Sequence, residues 1–194
     1  NTALSRQAVR MAVKAKQVQV NGVLAARIDQ PVNESDTVLL NGEPVQLQQA
    51  RYFMLHKPAG YVCANEDSHY PVVLDLLDEQ NKHTLQIAGR LDLDTTGLVL
   101  ITDDGQWNHR VTSPTRLCQK TYHVRLDTPL TDVAADQLRS GVLLQHEKKP
   151  TQAAELVFVD EHDKKQVLLS IHEGKYHQVK RMFEAVGSRV VYLK

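Results

Sequence analysis

The sequence predicts an α+β fold in two units: a small module of one helix and short strands, then a larger domain with a mixed, largely antiparallel sheet flanked by helices. Three observations predict it. A capped amphipathic helix precedes two Asn-Gly turns within residues 1–47. A polar, glutamine-rich stretch at 44–50 lacks periodicity and reads as a linker. From Arg51 onward, strand-like segments are separated sometimes by turns and sometimes by helices, which favours antiparallel pairing over a doubly wound sheet.

In the first unit, Ser5 can cap a helix whose apolar residues Ala8, Val9, Ala12 and Val13 recur at helical spacing. Arg6, Arg10 and Lys14 then stack on its outer face. Each like-charged pair costs an isolated helix about 0.2 to 0.5 kcal/mol, so the stripe makes most sense facing phosphates. Val18-Gln19-Val20, an Asn21-Gly22 turn and a return strand follow, and later Val38-Leu39-Leu40 runs into Asn41-Gly42. In the second unit, residues 52–55, 98–102, 121–126, 156–159 and 167–171 carry β-branched or alternating apolar residues and are expected as strands. Thr131 caps a helix that should end at Gly141, and a last helix is expected over 177–186 with Gly187 as its stop.

Composition narrows the function classes. The 23 Lys+Arg and 23 Asp+Glu cancel, yet Arg6, Arg10, Lys14, Lys16 and Arg27 lie in residues 1–28 with no carboxylate among them. A second basic excess occupies 164–194, so local charge is compatible with a nucleic-acid partner despite zero net charge. No apolar run approaches a membrane span and no secretory signal pattern opens the chain, which predicts a cytoplasmic protein without a membrane partner. Cys63 and Cys118 stand far apart and read as reduced, structural thiols. The histidines show no ligand spacing, so no metal is expected, and no phosphate-cradling glycine loop occurs. His172 and His177 read as structural or RNA-facing.

Chemistry concentrates in four segments. Gly89-Arg90-Leu91-Asp92-Leu93-Asp94-Thr95-Thr96-Gly97-Leu98 sets Asp92 between a cation and a turn. If Leu91 and Leu93 face a core, a strand's two-residue period puts Arg90, Asp92 and Asp94 on the opposite face, where Asp92 could act as a nucleophile. A polar turn capping the next strand is the plainer reading of such a short motif. His56-Lys57-Pro58-x-Gly60-Tyr61 reads as a strand end and turn, in which Lys57 taken alone is a solvated lysine. Tyr122, in Lys120-Thr121-Tyr122, is by itself an ordinary strand tyrosine. Glu173-Gly174-Lys175-Tyr176-His177-Gln178-Val179-Lys180-Arg181-Met182-Phe183 enters a helix whose stripe of Val179, Met182, Phe183 and Val186 leaves Lys180 and Arg181 free of the core.

Taken in chain order, from His56-Lys57 through Asp92 and Tyr122 to Glu173, the four segments resemble the pseudouridine synthases, over most of the chain from Arg51 onward. The resemblance implies that Asp92 carries the chemistry, that Tyr122 stacks on the target base, and that a cation after His-Gln-x pairs with the catalytic carboxylate. Alignment selects Lys180 where most of the family has arginine, with Arg181 as the fallback partner. Lys57 would border the cleft in a supporting, substrate-side role, and Arg90, Arg181, Arg6, Arg10 and Lys14 would contact RNA. The family's reaction breaks the C1′–N1 bond, turns the uracil and joins C5 to C1′ with no cofactor. The carboxylate can add to the ring, add to C1′, or take a proton from C2′, and sequence does not choose among these. Residues 1–47 resemble the S4-type RNA-binding domain. The run from Thr95 to Trp107, with Ser113-Pro114 beyond it, is similar to the bacterial small-subunit type that modifies a uridine of 16S rRNA. A monomer acting on 16S rRNA, or on a small-subunit assembly intermediate, is the expectation. The chain starts inside the S4-like helix region without a methionine and stops before a further basic strand and tail that relatives usually carry.

Three other readings stay open. One is a 23S rRNA enzyme of the same branch, and another a non-catalytic S4-type regulator. The third is a nucleoside glycosidase with Asp92 and Asp94 as its carboxylate pair.

Overall fold

Two Asn-Gly pairs shape the first unit. Asn21 and Gly22 (φ 51° and 79°), and Asn41 and Gly42 (φ 54° and 85°), take the left-handed backbone that a two-residue hairpin turn demands. The turns join β1 (Val18–Val20) to β2 (Val23–Leu24) and β3 (Val38–Leu40) to β4 (Glu43–Pro44), in an antiparallel sheet of order β2-β1-β3-β4. Asn21 locks the junction, its Nδ2 donating to Asp36 Oδ1 at 2.9 Å while its Oδ1 accepts from the Thr37 amide at 2.9 Å. The preceding helix α1 (Arg6–Lys14) starts as expected, with Ser5 Oγ accepting from the Ala8 amide at 3.2 Å. Ala12 is buried on its inner face, and Arg10 and Lys14 are exposed. The computed structural model describes residues 4–33, 35–45, 49–113 and 116–194, and of Arg6 the backbone only. Residues 46–48 of the expected linker therefore lie outside the described residues, as does the side chain of Arg6.

The chain divides into the units Asn1–Ala50 and Arg51–Lys194. In the second, every strand ladder is antiparallel. One sheet orders β5 (Tyr52–Lys57), β7 (Gly97–Thr102) and β6 (Gln86–Ala88) as β5-β7-β6. The other comprises β8 (Lys120–Leu126), β9 (Glu155–Phe158), β10 (Gln166–Ile171) and β11 (Val190–Leu193), in the order β11-β8-β10-β9. The sheets meet where the Thr96 amide donates to the Leu193 carbonyl at 3.1 Å, just ahead of β7.

Each sheet has its own core. Val73, Leu74, Leu85, Val99 and Ile101 fill the first. The second receives Val124 and Leu126 of β8, Ala134, Ala135 and Leu138 of α3 (Asp132–Ser140), and Val179, Met182 and Phe183 of α4 (Gln178–Ala185). The stripe expected on the last helix is thus the one that packs, with Met182 and Phe183 completely enclosed. Thr131 caps α3 through the Ala134 amide at 3.2 Å. Among the described residues, the α-helix that was not foreseen is α2 (Gly105–Thr112), which starts on Asp104, whose Oδ1 accepts from the Gln106 and Trp107 amides, and none of its residues is buried. With no residue deep in a core, it has no strong apolar period to announce it.

Gly141 ends α3 at φ 96°, and a Cβ there would lie 2.3 Å from the Thr151 carbonyl oxygen. Gly141→Ala is expected to cost about 2 to 3 kcal/mol, from left-handed strain plus overpacking. Chemical denaturation with an unchanged m-value checks this.

Candidate active site

Residues 90–96 form a loop between β6 and β7, not the strand that alternating Leu91 and Leu93 suggests. The physical reason lies in its backbone partners, which come from scattered groups and not from a continuous strand ladder. The Leu91 amide donates to Cys63 Sγ at 3.4 Å, the Leu93 carbonyl accepts from the Gly60 amide at 2.8 Å, and the Thr95 amide closes a turn onto the Asp92 carbonyl at 3.1 Å.

Lys57 completes the anchoring. Its side chain is fully buried at the end of β5, and its Nζ donates to the carbonyls of Thr95 at 2.7 Å, Pro58 at 3.0 Å and Leu93 at 3.1 Å. Burial pushes its pKa down, with the nearby Cys63, Asp94 and Asp92 opposing that shift. The expectation that Lys57 contacts substrate from the cleft wall is therefore corrected: every ammonium donor is committed to backbone oxygen, and no part of the side chain is exposed. Burial likewise raises the Cys63 thiol pKa, so it stays protonated while accepting from Leu91.

Asp92, fixed by these contacts, faces α4. Its Oδ2 lies 3.6 Å from Lys180 Nζ and its Oδ1 lies 3.6 Å from His177 Nε2, with the carboxylate 26% exposed. Lys180 is shared. Its Nζ donates to Asp94 Oδ1 at 2.5 Å, a shorter contact than the one to Asp92, and holds the Asp94 pKa below the usual carboxylate range. The cation thus bridges both acids of the loop.

Tyr122 on β8 shares the inward-facing alternation of Val124 and Leu126 and packs against their core. Its hydroxyl is pushed above the ordinary phenol range, first by burial and then by the charge of Asp92. It therefore stays protonated near neutral pH and can donate a proton or offer its ring, but cannot act as a resting base. Asp92, Lys180 and Tyr122, drawn from three distant segments, converge on one place.

Residues 51–185 match the RNA pseudouridylate synthase family. The chain belongs to that family. It is 49% identical over 98% of its length to the ribosomal small subunit pseudouridine synthase A of Yersinia pestis, covering 80% of that protein, and 47% identical to its counterpart in Escherichia coli K12, covering 81%. A crystal structure of a pseudouridylate synthase superimposes with a TM-score of 0.71 at 43% identity, over 100% of this chain and 82% of that one.

Other residues expected at the pseudouridine synthase cleft are placed less centrally. Arg90 is exposed at the start of the loop. Arg181, the fallback partner, does not reach Asp92: its Nη1 donates to the Tyr176 carbonyl at 3.0 Å, its Nη2 to the Gln145 carbonyl at 2.5 Å, and Glu147 lies 3.5 Å away. One turn residue of α4 serves the acid and the next ties down the entry to the helix, because neighbouring helical positions point about 100° apart. Arg10 and Lys14 belong to the other unit and are exposed on α1.

His177 is the neighbour that sequence reasoning did not place at the acid. It caps α4 in the left-handed conformation at φ 46°, a position that no local pattern announces. Glu173 and Gln178 explain why the chain accepts it. Buried Gln178 donates from Nε2 to Glu173 Oε1 at 2.7 Å and accepts from the Lys175 amide at 2.8 Å, closing the loop that aims His177 at Asp92. Among the described residues, no group of three His, Cys, Asp or Glu side chains could hold a metal ion, and no helix is long and apolar enough to cross a membrane.

Proposed function

We propose that this chain isomerises a uridine of small-subunit (16S) ribosomal RNA to pseudouridine in the cytoplasm, as a monomer and without a cofactor, with Asp92 as the nucleophile. The observation that carries this reading is a single carboxylate, immobilised by buried backbone contacts and set beside both a cation and a partly buried tyrosine, in a chain whose relatives are small-subunit enzymes over nearly all of its length. Lys180 places positive charge beside the acid, Tyr122 provides the platform on which an extruded uracil can stack, and the S4-like module at 1–47 grips RNA phosphates. Flipping the uridine costs a few kcal/mol, which stacking and phosphate contacts offset.

The chemistry needs a carboxylate that attacks or abstracts, a cavity in which uracil can rotate, and return of C5 to C1′. No net oxidation occurs and no group leaves. A nucleoside glycosidase with Asp92 and Asp94 as its pair is disfavoured. Such an enzyme needs one acid kept protonated, whereas the hydrogen bond from Lys180 keeps Asp94 ionised.

Incubating the protein with separate 16S and 23S transcripts and mapping pseudouridine by chemical labelling tests reaction and substrate together. Pseudouridine is expected at one uridine of the 16S transcript, and conversion of the 23S transcript alone would move the enzyme to the other branch. Reversing two charges on α1, Arg10→Glu with Lys14→Glu, is expected to weaken 16S binding. It should also flatten the salt dependence of log K by roughly 1.4 to 1.8, the loss of two phosphate contacts, while turnover of the bound complex is retained.

A further inference from the structure

Next to the acid two rings are stacked. Tyr176 lies over His177 with ring centroids 3.8 Å apart and planes 18° from parallel. His177 Nε2 lies 3.6 Å from Asp92, while Tyr176 is 75% exposed. Exposing most of a large ring forfeits the gain from burying it. The ring nevertheless rests on His177, and the backbone beneath it is held where Arg181 Nη1 donates to the Tyr176 carbonyl at 3.0 Å, next to the left-handed His177. One face of Tyr176 is taken by His177, and a flat apolar face remains at the edge of the site.

We infer that Tyr176 is a nucleobase-stacking residue: its outer face receives a base adjoining the target uridine, extending the His177–Tyr176 column into the RNA. This rests on the pseudouridine synthase reading and goes beyond it by assigning a second stacking position, separate from Tyr122. The physical need is plain. A uridine turned out of its stack leaves the neighbouring base with an uncovered face, and an aromatic side chain covers it without demanding a particular sequence. The location fits, since Asp92 must reach the sugar or ring of the extruded nucleotide, and the column begins 3.6 Å from its carboxylate. Tyr176 thus binds RNA without touching the reacting atoms.

The test measures Kd for the 16S transcript by filter binding and pseudouridine yield in the same samples, for the wild type, Tyr176→Ala and Tyr176→Phe. Transcripts carrying an abasic residue on either side of the converted uridine are compared. Tyr176→Ala is expected to raise Kd roughly 5- to 150-fold, with Tyr176→Phe restoring affinity because the ring is kept. One of the two abasic transcripts should bind the wild type as weakly as Tyr176→Ala binds intact RNA, with no further loss when the two changes are combined. An unchanged Kd for Tyr176→Ala, or losses that simply multiply with both abasic transcripts, overturns the assignment. Absence of pseudouridine with the wild type would count against the enzymatic reading alone, since the Kd comparison on intact RNA does not depend on turnover.

Discussion

Asp92→Asn is expected to leave no measurable pseudouridine in 16S rRNA, a fall of at least roughly 10⁴-fold in kcat, while Kd for the same transcript stays within about twofold. The substitution separates chemistry from architecture because asparagine keeps the shape of the side chain and removes only its charge and nucleophilicity. The fold should tolerate it. Lys180 retains its 2.5 Å bond to Asp94, so no cation is stranded. The contacts that Asp92 loses, at 3.6 Å to Lys180 and 3.6 Å to His177, are long and partly exposed, worth at most about 1 kcal/mol. Asp94→Asn is the control in the opposite sense. Asp94 has a side chain 71% exposed and serves chiefly as the second partner of Lys180, so its loss should change kcat by no more than about tenfold. Full turnover by Asp92→Asn would leave the carboxylate without a catalytic role and favour a non-catalytic RNA-binding protein.

Local chemistry was readable where it depends on neighbours in sequence. Ser5 and Thr131 cap the helices they precede, Asn21-Gly22 and Asn41-Gly42 make the turns, and Val179, Met182 and Phe183 pack where the helical period puts them. The strands β6 and β11 escaped because segments of three or four residues are too short to distinguish a strand from a helix end. The site was legible in a different way. Asp92 and Lys180 are far apart in sequence, and no periodicity brings them together; only the order of the four motifs suggested the encounter. Lys57 shows where such reading fails. A lysine before a proline turn looks solvated, and only the tertiary arrangement of three carbonyls around it makes burial of an ammonium tolerable. His177 failed for a backbone reason, since a left-handed residue ahead of a helix leaves no mark in composition.

Lys57→Met is expected to destabilise the protein by about 4 kcal/mol and to lower kcat roughly 100-fold with a smaller effect on KM. Methionine preserves the unbranched apolar stem and deletes all three donors. The carbonyls of Thr95 and Pro58 then lose their ammonium partner, at about 1 to 3 kcal/mol for each acceptor left unsatisfied, whereas the Leu93 carbonyl keeps the Gly60 amide. Relief from burying the ammonium offsets part of the loss. The catalytic penalty follows from geometry. Leu93 and Thr95 flank Asp92 and Asp94 on the same turn, and a carboxylate displaced by about 1 Å can forfeit two orders of magnitude. Stability should also respond to pH in a defined sense. Burial lowers the folded-state pKa of Lys57 below its unfolded value of about 10.4, so between the two the unfolded chain binds more protons. Stability therefore gains from this group as pH rises through the lowered pKa, and the gain levels off near the unfolded value. The difference in unfolding free energy between the wild type and Lys57→Met should widen over that alkaline range. A difference that narrows there would mean that the three carbonyls outweigh burial and raise the folded-state pKa of Lys57, whereas a variant within about 1 kcal/mol of the wild type would mean that the buried ammonium does not hold the loop that presents Asp92.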